Sequence, residues 1–278
     1  MKTKPKLLNL LIVIFVIPWL FLFINCPLTV DSYTVTYDGN GNTHGTIPVD
    51  NNTYSEGHIV TVLGNTGNLA IIDGVTDALG FDGWNTEKDG DGTNYSAGTT
   101  FTMGASEMVL YAQWKPFSIR DTGPAGGLVF HDKGSYSNGW RYLEAAPAST
   151  GWGRGEYWEG VSWGGHGTLV DGTGTEIGTG SSNTQKIVDK LGEGDYAAYL
   201  CEDLDYGGYG DWFLPSQDEL HKMYEKLHKH GVGSFPIMYY WSSSEGNNNV
   251  AWQVFFEQNT AAEYTKLGNG RVRAARAF

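Results

Sequence analysis

Gly210-Asp211-Trp212-Phe213-Leu214-Pro215-Ser216-Gln217-Asp218-Glu219-Leu220 is the stretch of sequence that constrains the fold most. Pro215 disfavours helical backbone at the residue before it, so the chain must reach the proline in an extended conformation. Ser216 can then cap a helix, and Glu219, three residues later, completes a capping box. The stretch predicts a rigid corner, with its apolar side chains pointing inward and a helix running from Ser216 to about Lys229.

The composition of the 278 residues predicts a β-rich protein of two modest domains behind a leader. Aromatic residues make up 14% of the chain and glycine occurs 39 times, a combination typical of strands joined by tight turns. The formal net charge of −13 makes nucleic acid and anionic membrane surfaces poor partners. We therefore expect no nucleic-acid binding.

The leader, residues 1–26, has three lysines followed by an uncharged apolar run over residues 7–24. Such a pattern is typical of an export signal. The run ends in Phe23-Ile24-Asn25-Cys26, which resembles a bacterial lipobox and implies lipidation at Cys26. The alternative is an uncleaved N-terminal membrane anchor with Cys26 as an incidental thiol. Both alternatives predict that the rest of the chain is extracytoplasmic, and the lone Cys201 is expected to be buried and inert.

The first predicted domain covers residues 32–115 and reads as short strands separated by glycine-rich turns. Five segments follow the pattern of the internalin-type B-repeat, also called the Listeria–Bacteroides repeat, and this region resembles that family. They are Tyr33–Gly41, Gly80–Asn85, Gly98, Phe101 and Leu110–Trp114. The resemblance implies a small β-grasp-like module that serves bacterial surface proteins as a spacer or an adhesive unit.

This copy of the repeat differs from the family pattern by an enlarged middle, residues 64–79, and by standing alone rather than in tandem. Its Trp84 and Trp114 could form a platform for a sugar ring, but we expect them to be core residues instead.

The second predicted domain covers residues 117–278, with the boundary at Lys115-Pro116. Its pattern predicts a long glycine- and tryptophan-rich loop, two main helices beginning at Ser182 and Ser216, and a set of strands. The strands are expected at 126–131, 139–145, 239–243, 250–256 and 272–277, and the loop at 151–180.

Five segments give residues 120–278 a resemblance to the C-terminal domain of Legionella collagen-like (Lcl) adhesins and to the Fibrobacter succinogenes major paralogous domain. They are Asp121–Gly127, Gly210–Leu220, Tyr240–Glu245, Ala251–Val254 and Arg271–Arg276. The resemblance implies a C-type-lectin-like α+β fold on secreted or lipid-anchored bacterial proteins. Some relatives are associated with binding glycosaminoglycans or other surface polysaccharides, and the resemblance does not imply an enzyme. A trimer would be consistent with some relatives, although no collagen-like or heptad segment is present to enforce an oligomer.

The aromatic loop is the leading candidate for ligand contact. Exposed rings can stack on the apolar faces of sugars, and an arginine can add a contact to an anionic sugar. The alternative is that these rings cover the core beneath an irregular loop. The candidate residues are Trp152, Arg154, Tyr157, Trp158 and Trp163.

Two charged groups in the second domain are further candidates. Glu202, Asp203, Asp205 and Asp211 could supply oxygen ligands to calcium on a flexible loop, or could simply be solvated. The arginines of the last strand could bind sulfate or carboxylate groups, or form ion pairs with acidic residues of the same domain. The arginines are Arg271, Arg273 and Arg276, and the acidic residues are Glu245, Glu257 and Glu263.

No coherent catalytic set is present. Gly160-Val161-Ser162-Trp163-Gly164 matches the nucleophile-elbow pattern but lies in glycine-rich sequence without a helix after it. Lectin-like folds are related to formylglycine-generating enzymes, which depend on paired cysteines, whereas this domain has only Cys201. We therefore expect a surface-anchored binding or adhesion protein for a polysaccharide or host ligand. The alternative is a structural envelope or assembly protein that binds a protein partner.

Overall fold

The computed structural model describes residues 31–149 and 160–278. The chain divides into two units, Met1–Asp31 and Ser32–Phe278, and the architecture below is that of the second. The leader with Cys26, and residues 150–159 of the predicted aromatic loop, lie outside the described residues.

The repeat region forms one larger sheet and a separate pair of strands. Its strands are β1 (Val35–Asp38), β2 (Ile59–Thr61), β3 (Ala70–Ile71), β4 (Leu79–Asn85), β5 (Asn94–Tyr95), β6 (Thr100–Thr102) and β7 (Met108–Pro116). The sheet has the order β1-β7-β4-β3, with β5 paired to β4, while β2 and β6 form a separate antiparallel pair. β1 and β7, the first and last strands of the repeat, run parallel, with β1 at one edge of the sheet.

Trp84 lies in the core of the repeat and is fully buried. Its indole N–H donates to the Leu63 carbonyl at 2.9 Å, and the Tyr37 ring packs edge-on at 4.7 Å. Trp114 is half-buried and donates to the Asn40 carbonyl in the turn after β1. These contacts confirm Trp84 as a core residue, because no face of its ring is left for a sugar.

The enlarged middle of the repeat packs against the chain that follows it. Ala70 and Ala78, from residues 64–79, share one apolar cluster with Phe117, Tyr142 and Phe278. Beside this cluster Asp77 accepts from Arg141 at 2.6 Å and from the backbone N–H of Tyr136 at 2.7 Å. The insertion thus joins the repeat to the second part of the chain.

The second part contains short strands and three short α-helices. The strands are β8 (Leu128–Ser137), β9 (Trp140–Ala145), β10 (Val161–Ser162), β11 (Tyr239–Glu245), β12 (Val250–Phe255), β13 (Thr260–Thr265), β14 (Asn269–Gly270) and β15 (Ala275–Ala277). The helices are α1 (Gly180–Leu191), α2 (Ala197–Glu202) and α3 (Gln217–Lys226), with a 3-10 turn at His228–His230. Two antiparallel sheets, β11-β12-β13 and β15-β9-β8, and the pair β10-β14 complete it.

The predicted corner is confirmed. Ser216 caps α3 by accepting from the Glu219 N–H, and the Glu219 carboxylate accepts from the Ser216 N–H. Phe213 exchanges two backbone hydrogen bonds of 2.9 Å with Ala275 of β15. α1 begins against this corner at Gly180, where an added Cβ would lie 2.2 Å from the Glu219 carboxylate. The corner therefore holds two helices and one sheet together.

The predicted fold class, an α+β C-type-lectin-like domain behind a β-grasp-like module, is wrong. Strands account for 34% of the described residues and helices for only 13%, and the strands are spread over several small sheets. Helices stay short because Gly192, with a φ of 73°, ends α1, and the chain after Lys226 tightens into a 3-10 turn. The helical patterns in the sequence are real but too short to form a layer.

Several element boundaries also differ from the sequence prediction. α1 begins at Gly180 with Thr179 before it, not at a Ser182 cap, and no side chain caps its first turn. β8 continues to Ser137, beyond the end of the strand expected at 126–131. β13 was not predicted at all. Within the described residues, no helix is both long and apolar enough to cross a membrane.

Candidate functional site

Trp163 is the one aromatic-loop candidate that the structure describes, and it lies in the core. Its side chain is fully buried, and its indole N–H donates to the Ser242 carbonyl at 2.8 Å. The ammonium group of Lys266 lies 4.4 Å from the ring centre. The core alternative therefore holds for this ring. The other candidates, Trp152, Arg154, Tyr157 and Trp158, lie outside the described residues.

The chain after Trp163 is fixed to the sheet by a buried ion pair. Lys266 is fully buried, contacts the Glu245 carboxylate and donates to the Thr168 carbonyl at 2.9 Å. Glu245 also accepts from the backbone N–H groups of Val170 and Asp171. This segment of the predicted loop is consequently held in place by hydrogen bonds from its backbone.

The structure does not assemble the predicted calcium ligands. Asp211 accepts from the Arg276 guanidinium, while Glu202 and Asp203 lie exposed at the end of α2. Asp205 is exposed as well. In the described part of the chain, no three His, Cys, Asp or Glu side chains are grouped so that they could hold a metal ion. The four side chains therefore form no calcium site within the described residues.

Arg276 is neutralised inside the fold rather than available to an anion. Its guanidinium donates to Glu144 at 3.0 Å and to Asp211, and it stacks 3.6 Å from the centre of the Tyr209 ring. His44, from the repeat, also stacks on the Tyr209 ring. The acidic partners of Arg276, Glu144 and Asp211, are not among those expected from the sequence. Glu245, one of the expected partners, is paired with Lys266 instead.

A cavity of about 320 Å³ opens in the second part of the chain beside Arg273. Its walls are mostly apolar, with Leu128, Leu227 and Phe235 among the lining side chains. Ala148 and Ser234 also line it. An apolar concavity with one convergent charged group is the usual form of a ligand site, and this volume lies at the lower end of the range for such sites.

Arg273 is held in the cavity wall by backbone carbonyls. Nη1 donates to the carbonyls of Ala146 and Gly233 at 3.0 and 2.9 Å, and Nη2 donates to that of Ser234 at 3.1 Å. The guanidinium also lies 4.1 Å from the centre of the Phe235 ring. These contacts fix the orientation of the group without neutralising it.

The charge of Arg273 has no acidic partner among the described residues, in contrast to that of Arg276. The side chain is only 6% exposed. Burial lowers the pKa of Arg273 to about 10, because the charged form loses hydration. The group nevertheless keeps its charge at neutral pH, so the cavity presents a cation that no acidic side chain of the described residues pairs.

Ser162 does not sit in a nucleophile elbow. It is the second residue of the two-residue strand β10, and it is followed by the buried Trp163. The next helix begins only at Gly180, whereas an elbow requires a helix directly after the serine. Cys201 is fully buried as expected, and burial raises the pKa of its thiol.

The cavity was not predicted as a site. The sequence singled out Arg271, Arg273 and Arg276 as residues that could bind sulfate or carboxylate groups or form ion pairs, but it gave no sign of a cavity beside Arg273. The buried cation arises from contacts with residues about 40 and 127 positions away, which no local pattern reveals.

Comparison with known proteins identifies the repeat. Residues 33–113 match the Listeria-Bacteroides repeat domain family, so the chain carries one such repeat. Two proteins of Evansella cellulosilytica are 37% identical to the chain over 87 and 86 residues. The first is provisionally named a Gly-rich membrane protein and the second a membrane protein.

The matched segments represent 31% of this chain and only 9% and 12% of the two relatives. The chain therefore spans about a tenth of the length of the curated relatives it matches. The family match ends at residue 113, so the resemblance of residues 120–278 to the Lcl and Fibrobacter domains stays a prediction.

Proposed function

We propose that the chain is an envelope-associated bacterial binding protein that presents its second part to a polysaccharide or host-surface ligand. The observation that carries this proposal is the cavity beside Arg273, which combines apolar walls with a buried cation that has no acidic partner among the described residues. The repeat serves as the support, because its insertion shares an apolar cluster with the part that contains the cavity.

Envelope association is supported by the relatives and by the leader. Both Evansella proteins are provisionally named membrane proteins, and the repeat family matched by residues 33–113 is one that we associate with bacterial surfaces. The leader ends in the lipobox-like segment at Cys26. We propose an extracytoplasmic location with lipidation at Cys26, and an uncleaved N-terminal anchor is the alternative form of attachment.

We propose binding rather than catalysis. The motif with a catalytic pattern, around Ser162, leads into the core instead of a helix. Cys201, the cysteine of the second part, is buried and its thiol pKa is raised, which disfavours a reactive thiolate. Ser162 lacks the helix that should follow a nucleophilic serine in this motif, and Cys201 lacks the exposure that a reactive thiolate needs.

The alternative is a structural envelope protein that binds a protein partner. One observation favours it: Ile237, Met238 and Tyr239 are consecutive and between 45% and 56% exposed at the start of β11. Exposed apolar groups of this kind mark many protein interfaces. Replacing Met238 and Tyr239 by serine should then abolish partner capture without affecting binding to sugars.

The test is a glycan array probed with the full-length protein in detergent, alongside immobilised host-surface proteins. Binding to a defined polysaccharide or host ligand, at a site blocked by substitution at the cavity, is the expected result. Absence of binding to every polysaccharide and host ligand would contradict the proposal and would favour the structural alternative. Adding EDTA should leave the binding unchanged, because the described residues assemble no metal site.

A further inference from the structure

Contacts within the described residues use only part of the hydrogen-bonding capacity of the Arg273 guanidinium. An arginine side chain has five N–H donors, and three are used here by the carbonyls of Ala146, Gly233 and Ser234. The remaining two are the Nε–H and one N–H of the adjacent Nη2. Both donors belong to a side chain that lines the cavity.

The charge of this group sets the charge of the ligand. Removing a cation from water without an opposite charge is unfavourable, and an anion that enters the cavity offsets that loss. One guanidinium balances a single negative charge, so a monoanion fits better than a dianion. Two N–H groups on adjacent nitrogens suit the two oxygens of a carboxylate, which arginine commonly binds in this two-point manner.

The walls of the cavity set the size and polarity of the rest of the ligand. Leu128, Leu227 and Phe235 offer apolar surface, and the volume of about 320 Å³ admits a compact group rather than a long chain. The carboxylate must therefore be carried by a small body with at least one apolar face.

We propose that the Arg273 cavity binds the carboxylate of a compact ligand, with the remaining Nε–H and Nη2–H donating to its two oxygens. This inference rests on the proposed binding function and specifies the group that enters the site. Two sources offer this chemistry, namely the acidic sugar of a polysaccharide and a short aliphatic acid.

The first test uses small probes on the full-length protein in detergent, by isothermal titration calorimetry. D-glucuronate and butanoate represent the two sources, and D-glucose and butanamide are their neutral partners. At least one acid should bind, and its neutral partner should bind about tenfold or more weakly, since a charge-assisted pair is lost. The acid that binds more tightly identifies the source. Failure of both acids to bind, or equal binding of an acid and its neutral partner, would overturn the proposal.

The second test places the binding at the cavity. Arg273→Met should lower the affinity for the acid about tenfold or more, and Arg273→Lys should restore only part of it, because lysine keeps the charge but loses the two-point geometry. Ala148→Phe should block the cavity while leaving every contact of Arg273 in place. Lys190→Met, which removes a charge from the exposed face of α1, is the matched control and should bind like the wild type.

Arg273 also donates hydrogen bonds to three backbone carbonyls, so Arg273→Met could fail to fold. In that case Ala148→Phe alone tests the location of the site. Wild-type affinity for the acid in a folded Ala148→Phe protein would overturn the proposal. If a polysaccharide ligand is found and both cavity variants bind it normally, this inference fails while the proposed function stands. If no polysaccharide or host ligand is found but the acids bind at the cavity, the inference stands and the proposed function fails.

Discussion

Glu219 shows how burial alone can alter a carboxyl group in this fold. Its side chain is fully buried and accepts from the N–H groups of Ser216 and Gly178, both at 2.8 Å, and more distantly from that of Gly180. The loss of hydration outweighs these hydrogen bonds and raises the pKa of Glu219 from its ordinary value of 4.5 to about 7. The folded state therefore takes up a proton more readily than the unfolded state.

The stability of the protein should consequently fall as the pH rises from about 5 to 8. A raised pKa contributes stability that is fully present below the unfolded value of 4.5 and is lost as the pH passes the folded value near 7. The shift corresponds to a contribution on the order of 3 kcal/mol. In Glu219→Gln, urea unfolding of residues 32–278 should show a smaller difference in unfolding free energy between pH 5 and pH 8.

Glu257→Gln, at an exposed position, is the control for this prediction and should keep the wild-type pH dependence. Burial also raises the pKa of Glu144, although the adjacent Arg276 opposes that shift, so some pH dependence should remain in Glu219→Gln. An unchanged difference between pH 5 and pH 8 in that variant would show that Glu219 is ionised in the folded state throughout.

Lys266 is the second residue whose burial has a measurable consequence. Lys266→Met leaves the Glu245 carboxylate buried without its cation, and such a loss typically costs about 3–5 kcal/mol. Lys222→Met removes a partly exposed lysine that is paired with Glu225 at the surface, and it should cost less than about 1 kcal/mol. Urea denaturation of both variants checks the difference. Equal and small losses would mean that the backbone N–H groups around Val170 satisfy Glu245 without Lys266.

At the scale of elements, the sequence predicts those features that depend only on residues close together in the chain. The capping box of Ser216 and Glu219 involves residues three apart, so the start of α3 could be predicted to the residue. β13 could not, because Thr260-Ala261-Ala262-Glu263-Tyr264-Thr265 has few apolar residues and becomes a strand only by pairing with β12. The predicted fold class is wrong for a related reason, since short helical patterns do not reveal how many strands surround them.

The candidate site was less predictable than the fold. Trp163 was selected as an exposed ring because its neighbours are glycine and serine, but its burial depends on Ser242 and Lys266, about 80 and 100 residues later. Arg273 was noted in the sequence, yet its role depends on carbonyls supplied by two distant loops. Both outcomes reflect tertiary contacts that periodicity and composition do not contain.

At the scale of the whole molecule, the repeat and the second part share one apolar cluster. Ala78, from the insertion in the repeat, is 3% exposed and packs with Phe117, Tyr142 and Phe278. The contacts of Asp77 with Arg141 and Tyr136 extend this joint. Residues 32–278 should therefore unfold as one cooperative unit rather than as a spacer followed by an independent domain.

Ala78→Asp tests this cooperativity, because it places a charge inside the shared cluster at a cost of at least about 2 kcal/mol. Hydrogen exchange should then report the same loss of protection for the most protected amides of β4 and of β12. Thr100→Asp, at an exposed position of β6, is the control and should leave both sets of amides unchanged. A loss confined to one part of the chain would show that the two parts unfold separately.

The Arg273 cavity is the centre of the functional account, and a crystal structure with the better-binding acid, D-glucuronate or butanoate, tests it most directly. We expect the carboxylate oxygens about 2.7–2.9 Å from Nε and Nη2 of Arg273, with the body of the ligand against Phe235. A cavity that remains empty under saturating acid, or an acid bound only elsewhere on the protein, would contradict the account.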